Sequence, residues 1–264
     1  MPNYAGVNLP RQIYRLVVGL AVLISTSVLA RADETGRVEW ISLAPGLWYR
    51  PWSIARSAES SSASGHVFRA DPRIVHVTVL DARRQDRAVA SVAALRQESG
   101  AYLVVNGGFF DEHNRPLGLV VGEGHKSSAL RKVDQGIFFI SEGKPIIQHT
   151  RDPLPENLDA AIQAGPRLVV NGRPLRLKPQ ASRRTCLCLP GDGTVLVLVF
   201  PTAVSLADLA AALVRLPSEE GLGCWGALNL DGGPSTQLSL ATGAMSLDIA
   251  GGWSVPNGLA ILPK

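Results

Sequence analysis

The sequence lacks the short motifs that mark several large enzyme classes. No Gly-x-Ser-x-Gly pentapeptide occurs, so the nucleophile elbow of a serine hydrolase has no support. A Walker phosphate-binding loop and a dinucleotide-binding fingerprint are also missing, so nothing indicates a nucleotide cofactor. The five histidines are scattered and form no pair with metal-ligand spacing. We therefore expect neither a cofactor nor a metal.

A strong excess of basic charge is missing as well, once the N-terminus is set aside. The 264 residues carry a formal net charge of +4. The first 32 residues hold three arginines and no acid, which leaves 23 basic and 22 acidic residues in the remainder. Nucleic-acid binding requires a basic surface that this balance does not supply. We expect no nucleic-acid partner.

The N-terminal segment has the pattern of an export signal. Arg11 and Arg15 precede an uncharged apolar stretch, and the small residues Ala30 and Ala32 form a signal-peptidase site. The stretch is short for a membrane-spanning helix, which needs roughly 20 residues. The sequence predicts a signal peptide over 1–32, a domain over 33–264, and a periplasmic or secreted protein. An uncleaved membrane anchor is the alternative.

Cysteine is scarce, with only Cys186, Cys188 and Cys224. The Cys-x-Cys spacing places the first two on one face of a strand. One of them could pair with Cys224 in an oxidising compartment, which would leave an odd thiol. Buried free thiols are the alternative. A zinc site has no support from a Cys-x-x-Cys pair.

Apolar runs broken by proline and glycine turns predict many strands and few helices. The predicted strands cover Ile74–Leu80, Ala101–Val105, Thr185–Leu189, Thr194–Phe200 and Ala227–Leu230. The predicted helices cover Ala88–Glu98 and Ser205–Leu216, the second with Ser205 as its N-cap. This pattern favours an α+β fold in a single domain, with mixed β-sheets, few covering helices and a cleft at the strand ends.

Two strand ends carry residues that suit a site better than a core. Asn229-Leu230-Asp231-Gly232-Gly233-Pro234-Ser235-Thr236-Gln237 places a carboxylate, two glycines and two hydroxyls after a strand. Bare amides and hydroxyls of this kind can hold a sugar or a phosphate, although an ordinary Asp-Gly hairpin turn is the simpler interpretation. Asn106-Gly107-Gly108-Phe109-Phe110-Asp111 follows another strand, where one ring is expected to pack inward and the other to form a pocket wall.

These motifs resemble the phosphodiester glycosidases, and the resemblance runs in order from about Tyr102 to Leu262. It is carried by Asn106 to Phe110, Leu117 to Val121, Gln135 to Phe138, Ala164 to Gly172, Arg184-Thr185, Asn229 to Gly233 and Val255 to Asn257. Two departures concern substrate preference: Pro234 stands where a third glycine is expected, and Cys188 replaces a small residue.

The resemblance implies an exported hydrolase that cleaves a sugar-1-phosphodiester in the cell envelope, releasing the sugar and leaving a phosphate monoester. The guanidinium of Arg184 suits the phosphate, and Asp231 suits the positive charge that grows on the sugar ring. Glu123 is the preferred second carboxylate, with Asp111 as its competitor. The expected substrate-binding residues are Asn106, Gly107, Gly108, Phe109, Thr185, Gly232, Gly233, Ser235 and Thr236. A non-catalytic envelope protein that binds glycan or peptidoglycan in the same pocket is the alternative.

Overall fold

The computed structural model describes residues 39–55, 62–219 and 221–264. Two α-helices lie within these residues, α1 (Val92–Ser99) and α2 (Leu206–Val214). The described strands are β1 (Ile41–Ala44), β2 (Leu47–Ala55), β3 (Ser62–Ala70), β4 (Val75–Asp81), β5 (Leu103–Asn106), β6 (Val120–Gly122), β7 (His125–Ser128), β8 (Gly136–Ser141), β9 (Lys144–His149), β10 (Ala160–Ala164), β11 (Arg167–Val170), β12 (Arg173–Pro174), β13 (Ala181–Leu189), β14 (Val195–Ser205), β15 (Gly226–Asn229), β16 (Leu238–Ala241), β17 (Ser246–Ile249) and β18 (Asn257–Pro263).

The strands form three sheets, and every pairing among the described strands is antiparallel. The largest sheet has the order β1-β2-β3-β14-β13-β15-β11-β12. The two five-stranded sheets have the orders β7-β6-β10-β8-β9 and β17-β16-β5-β18-β4. The α+β class agrees with the predominance of strands over helices, but the expectation of mixed sheets is wrong. Consecutive strands such as β8 and β9, or β16 and β17, are joined by short turns that reverse the chain direction, while other neighbours, such as β3 and β14, come from distant parts of the chain.

A shared core joins the three sheets. Along β5, Leu103 and Val105 face this core, while Val104 between them faces α1. In the eight-stranded sheet, Val197 faces the shared core and Leu198 faces a second core beneath α2. Successive side chains of a strand point to opposite faces, so continuous apolar runs are buried on both sides. This packing fixes the strand ends that carry the two glycine motifs.

The predicted strands and helices are present with shifted ends. The hairpin predicted from Thr185 to Phe200 exists as β13 and β14 and extends further at both outer ends. Ser205 caps α2 as predicted, its Oγ accepting from the N–H of Asp208 at 3.0 Å. α1 begins after the predicted start because Ser91 is its N-cap, with Oγ accepting from the N–H of Ala94 at 3.2 Å.

The cysteine alternatives are resolved by the structure. Cys188 and Cys224 form a disulfide, and Cys186 is a buried free thiol. Burial raises the pKa of the Cys186 thiol to about 12. The odd cysteine is therefore a packing residue of the core beneath α2.

The predicted signal peptide over 1–32 lies outside the described residues. Within the described part of the chain, no helix is long and apolar enough to cross a membrane.

Candidate functional site

Asp231 lies directly after β15, and its main chain is tied to the other glycine motif. Its N–H donates to the carbonyl oxygen of Gly107 at 3.0 Å, and its own carbonyl oxygen accepts from Asn106 Nδ2 at 2.7 Å. Asp231 Oδ1 accepts from the N–H of Gly232 at 2.9 Å. The two strand ends predicted to form a site are thus in direct contact.

The carboxyl group of Asp231 is mostly buried and has no ionic partner within the described residues. Burial raises its pKa above the usual range for aspartate, and the hydrogen bonds from Ser235 and Gly232 oppose that shift. A carboxyl group in a cleft whose pKa is raised by desolvation is suited to act as a base or as a stabilising charge.

Arg184 provides the positive charge of the same cleft. Its Nε donates to the carbonyl oxygen of Val204 at 3.3 Å, and its Nη2 donates to that of Gln180 at 2.7 Å. Its Nη1 lies 3.5 Å from the position that a Cβ on Gly232 would occupy, so the glycine leaves room beside the guanidinium. Burial lowers the pKa of Arg184 relative to an exposed arginine. Main-chain carbonyls hold the group, and no carboxylate pairs with it among the described residues.

A cleft of about 340 Å³ contains both charges. Its lining residues are Phe109, Gly165, Pro166, Gln180, Ser182, Arg184, Leu206, Asn229, Asp231, Gly232 and Gly233. Asp231 is the one carboxylate and Arg184 the one guanidinium in this lining. Phe109 contributes a wall, whereas Phe110 packs against the core beside α1, as the alternation of their side chains predicts.

Asn106 and Thr185, both expected to bind substrate, are instead completely buried. Thr185 Oγ1 donates to Asn106 Oδ1 at 2.6 Å, and the N–H of Gln237 donates to the same oxygen at 3.2 Å. The polar atoms of the Asn106 side chain are therefore occupied within the protein. Both residues support the main chain at Asp231 and do not line the cleft.

The Gly107 and Gly108 amides are also occupied within the protein. The N–H of Gly107 donates to the main-chain oxygen of Asn257 at 3.0 Å, and that of Gly108 donates to Asn257 Oδ1 at 3.1 Å. A Cβ on Gly107 would lie 1.9 Å from Asn257 Oδ1, so only glycine fits there. The expectation that these amides face a ligand is corrected: they join β5 to β18.

The Asp-Gly-Gly motif turns through a short 3₁₀ helix over Gly233–Ser235. Gly233 has a φ of +59°, a backbone conformation that favours glycine, and it lies beside Ser182 in the cleft. Ser235 and Thr236 are fully buried. Of these two hydroxyls, Ser235 Oγ accepts from Trp253 Nε1 at 2.9 Å, whereas Thr236 Oγ1 has no hydrogen-bond partner among the residues that the structure describes.

Glu123 lies away from the cleft. It occupies the turn between β6 and β7, is exposed, and pairs with Arg84 at 3.2 Å. It lines a different depression of about 400 Å³ together with His76 and Asp159. Its competitor Asp111 pairs with Arg115 at 2.8 Å within its own loop. Neither carboxylate is among the residues that line the cleft with Asp231.

Six residues of the cleft are not among the site residues predicted from the sequence: Gly165, Pro166, Gln180, Ser182, Leu206 and Asn229. Ser182 and Gln180 lie beside the irregular pairing of β13 with β14, where the register shifts between Ser182 and Arg184. Gly165 and Pro166 lie in the segment from Ala164 to Gly172 that carries part of the family resemblance. No group of three or more potential metal ligands is found among the described residues.

The comparisons decide the family. The sequence model of the phosphodiester glycosidases matches residues 99–262, more than half of the chain. The chain belongs to the phosphodiester glycosidase family. A search of curated proteins found no match.

Solved structures resemble this chain in fold. The zebrafish N-acetylglucosamine-1-phosphodiester alpha-N-acetylglucosaminidase catalytic domain, auto-inhibited by its pro-peptide, aligns with a TM-score of 0.64 and 17% identity over 85% of this chain and 86% of that one. A hypothetical protein of Synechocystis aligns with a TM-score of 0.58 and 16% identity over 83% of this chain and 62% of that one. A Burkholderia pseudomallei protein, described as a presumed exported protein, aligns with a TM-score of 0.56 and 14% identity over 80% of this chain and 76% of that one.

Proposed function

We propose that the protein is an exported hydrolase of sugar-1-phosphodiesters in the cell envelope, which releases the sugar and leaves a phosphate monoester. The observation that carries the proposal is the presence of Asp231 and Arg184 in one cleft, each uncancelled by an ion pair. Membership of the phosphodiester glycosidase family supports the reaction type.

The single carboxylate of the cleft suits a phosphate leaving group. Ordinary glycoside hydrolysis uses two carboxyl groups, one of which protonates the departing oxygen. A phosphate monoester is already a weak base, with a second pKa of about 6, so its departure needs little protonation. The chemistry then requires one group to hold the leaving phosphate and one to face the sugar.

Arg184 is assigned to the phosphate. Its Nη1 is directed toward Gly232, while Nε and Nη2 are held by carbonyls, so the guanidinium is fixed before substrate binds. A preorganised positive charge stabilises the negative charge that develops on the leaving group. Phe109 and Leu206 supply apolar walls beside it.

Asp231 is assigned to the anomeric carbon. An ionised carboxylate there stabilises the oxocarbenium-like transition state or accepts a proton from the attacking water. Its main chain is anchored by Asn106 and Gly107, so the carboxylate has little freedom to move. Rigid support of this kind is what catalytic geometry requires.

Export is supported by two features of different origin. The signal-peptide pattern over 1–32 predicts it from the sequence. The Cys188–Cys224 disulfide suits an oxidising compartment such as the periplasm.

The direct test is hydrolysis of a synthetic N-acetylglucosamine-1-phosphodiester by the protein purified from the exported fraction. We expect equal molar amounts of free sugar and phosphate monoester, released far more slowly by the Asp231→Asn variant. Absence of sugar release across a panel of hexose-1-phosphodiesters, with a family enzyme active in parallel, would contradict the proposal.

A second candidate is a non-catalytic protein that binds envelope glycans in this cleft. The observation that favours it is the lack of a second carboxylate among the cleft residues. Glycan binding that is equal in wild type and Asp231→Asn, with no turnover by either, would support this function over hydrolysis.

A further inference from the structure

A second depression adjoins the cleft at Pro166. This proline lines both the cleft of Asp231 and a neighbouring depression of about 230 Å³. The N–H of Asn229 donates to the carbonyl oxygen of Pro166 at 3.0 Å, which ties the boundary between them to the site motif. We call the neighbour the arginine depression; its other lining residues are Asp134, Gln135, Arg167, Leu175, Arg176 and Leu177. A ligand in the cleft can therefore extend past Pro166 into the arginine depression.

The two arginines of this depression come from facing positions of one hairpin. β11 and β12 pair antiparallel, and the N–H of Leu175 donates to the carbonyl oxygen of Leu168 at 2.9 Å, which continues their register by one residue. The following position in that register sets Arg176 opposite Arg167, and both line the same depression. The hairpin thus places two like charges side by side.

No carboxylate of the protein pairs with either arginine among the described residues. Asp134 is the one carboxylate in the lining, and its Oδ1 is bonded to His149 Nε2 at 3.1 Å instead. Like charges that lie opposite each other destabilise a strand pair. An arrangement that costs stability and that the protein does not offset itself is typical of a binding site, here one for an anion.

Arg167 is held at its stem. A Cβ on Gly136 would lie 2.7 Å from Arg167 Cγ, so the glycine of β8 leaves room for the aliphatic part of the arginine. Arg167 is half-buried, whereas Arg176 is exposed. A side chain whose stem is packed loses less conformational freedom when its guanidinium binds a ligand.

We propose that the arginine depression binds a second anionic group of the substrate, a phosphate or a carboxylate that lies beyond the scissile phosphodiester. Its place in the substrate rests on the proposed function, which puts the scissile phosphate at Arg184. Each guanidinium presents a planar fork that binds phosphate or carboxylate through two hydrogen bonds. The substrate class is then an acidic glycan phosphate, either a polymer of repeating phosphodiester units or a conjugate that contains a uronic acid.

The first experiment measures binding without turnover. Calorimetry compares propyl phosphate with alkanediol bisphosphates whose two phosphates are separated by two to ten carbons. We expect the bisphosphate with the best linker to bind wild type about 10–100-fold more tightly than propyl phosphate, because its second phosphate binds intramolecularly. The shortest linkers should give no gain. Arg167→Gln and Arg176→Gln should each reduce the gain to less than about threefold.

Two controls separate the site from general charge and from folding. Arg173→Gln removes an exposed arginine of the same hairpin that lines neither depression, and it should keep the full gain. Arg176→Gln should melt at or above the wild-type Tm, because it removes a like-charge pair. Its loss of bisphosphate binding is then not a loss of folding.

The second experiment locates the anion in the substrate. Wild type is assayed on three sugar-1-phosphodiesters: one with a neutral alkyl leaving group, one whose leaving group ends in a phosphate, and one in which the sugar is a hexuronic acid. We expect kcat/KM on one of the acidic substrates to exceed that on the neutral substrate by about tenfold or more, mainly through KM. Arg167→Gln should abolish that preference, and the preferred substrate identifies the side on which the anion lies.

The absence of any gain from bisphosphates at every linker length, or a gain that survives both arginine substitutions, would overturn the second anion site. Linker-dependent binding that is lost with either arginine, in a protein that hydrolyses none of the three substrates, would instead refute the proposed hydrolysis and leave the anion site in place.

Discussion

Asn106 Nδ2 donates to the main-chain oxygen of Asp231 at 2.7 Å, although 125 positions separate the two residues. Asn106 ends β5 of a five-stranded sheet, while Asp231 follows β15 of the eight-stranded sheet. Because Asn106 Oδ1 also accepts from Thr185, one buried amide joins two sheets at the base of the cleft. The position of the Asp231 carboxylate therefore depends on a side chain that never meets solvent.

The Asn106→Ala substitution should destabilise the protein. It leaves the Thr185 hydroxyl, the Gln237 N–H and the Asp231 carbonyl without partners in a buried position, which we expect to cost about 2–4 kcal/mol of unfolding free energy. Urea unfolding measures the cost. Ser53→Ala, which removes an exposed hydroxyl pair with Ser64, is the control and should lie within about 0.5 kcal/mol of wild type.

The Asp231→Asn substitution should abolish most of the turnover and spare binding. It preserves shape and removes the charge that faces the sugar ring, so kcat should fall by about 10²–10⁴-fold while KM changes little. Steady-state kinetics on the sugar-1-phosphodiester decide this. Wild-type kcat in a folded Asp231→Asn variant would remove Asp231 from the mechanism.

The same substitution should raise thermal stability at neutral pH. Burial raises the pKa of Asp231 in the folded state, so ionisation there costs folding free energy at pH values above its folded pKa. The cost disappears as the pH falls below the ordinary aspartate pKa, since the group is then protonated in both states. The gain in Tm of Asp231→Asn should therefore be present at pH 7 and shrink on acidification; a gain independent of pH would contradict the argument.

The Arg184→Lys substitution should weaken both phosphate binding and turnover. Lysine keeps the charge but loses the planar fork that is held by Val204 and Gln180. We expect kcat/KM to fall by about 10–100-fold and inhibition by inorganic phosphate to weaken in parallel. Arg173→Lys, at an exposed position outside the cleft, is the matched control. Unaltered phosphate inhibition in Arg184→Lys would assign the phosphate to another group.

The Glu123→Gln substitution tests whether a second carboxylate takes part. Glu123 pairs with Arg84 on the surface and lines a different depression, so the variant should retain kcat and KM within about twofold of wild type. A large loss of kcat would show that the turn between β6 and β7 moves to the cleft in the working enzyme.

Reduction of the Cys188–Cys224 disulfide should destabilise the protein. The bridge joins residues 36 positions apart, and a loop of that size is worth about 2–4 kcal/mol by the chain-entropy account. Tm should therefore fall on addition of reductant, and the Cys188→Ala/Cys224→Ala variant should melt at that lower temperature in either condition. Cys186, buried with a pKa of about 12, should resist alkylation until the chain unfolds.

The sequence by itself determined the two strand ends and the cap of α2, while Asp231 and Arg184 were assigned together through the resemblance to the family. These predictions rest on local signals: apolar runs bounded by glycine, a serine before an apolar stripe, and polar residues placed after strands. Such signals act over a few residues, and the ordered set of motifs pointed to the family that the comparison then showed.

Only the tertiary structure decided which polar residues face the cleft. Asn106, Gly107 and Gly108 read as ligand-binding residues in the sequence, yet they bond Gln237 and Asn257. Thr185, predicted to bind substrate as well, donates to Asn106. Glu123 read as a partner of Asp231 and lies elsewhere. A polar residue next to a site can contact a ligand, or it can support the main chain of a residue that does. Only long-range packing distinguishes these two roles, because the partner that satisfies a buried amide or carboxylate comes from a distant strand.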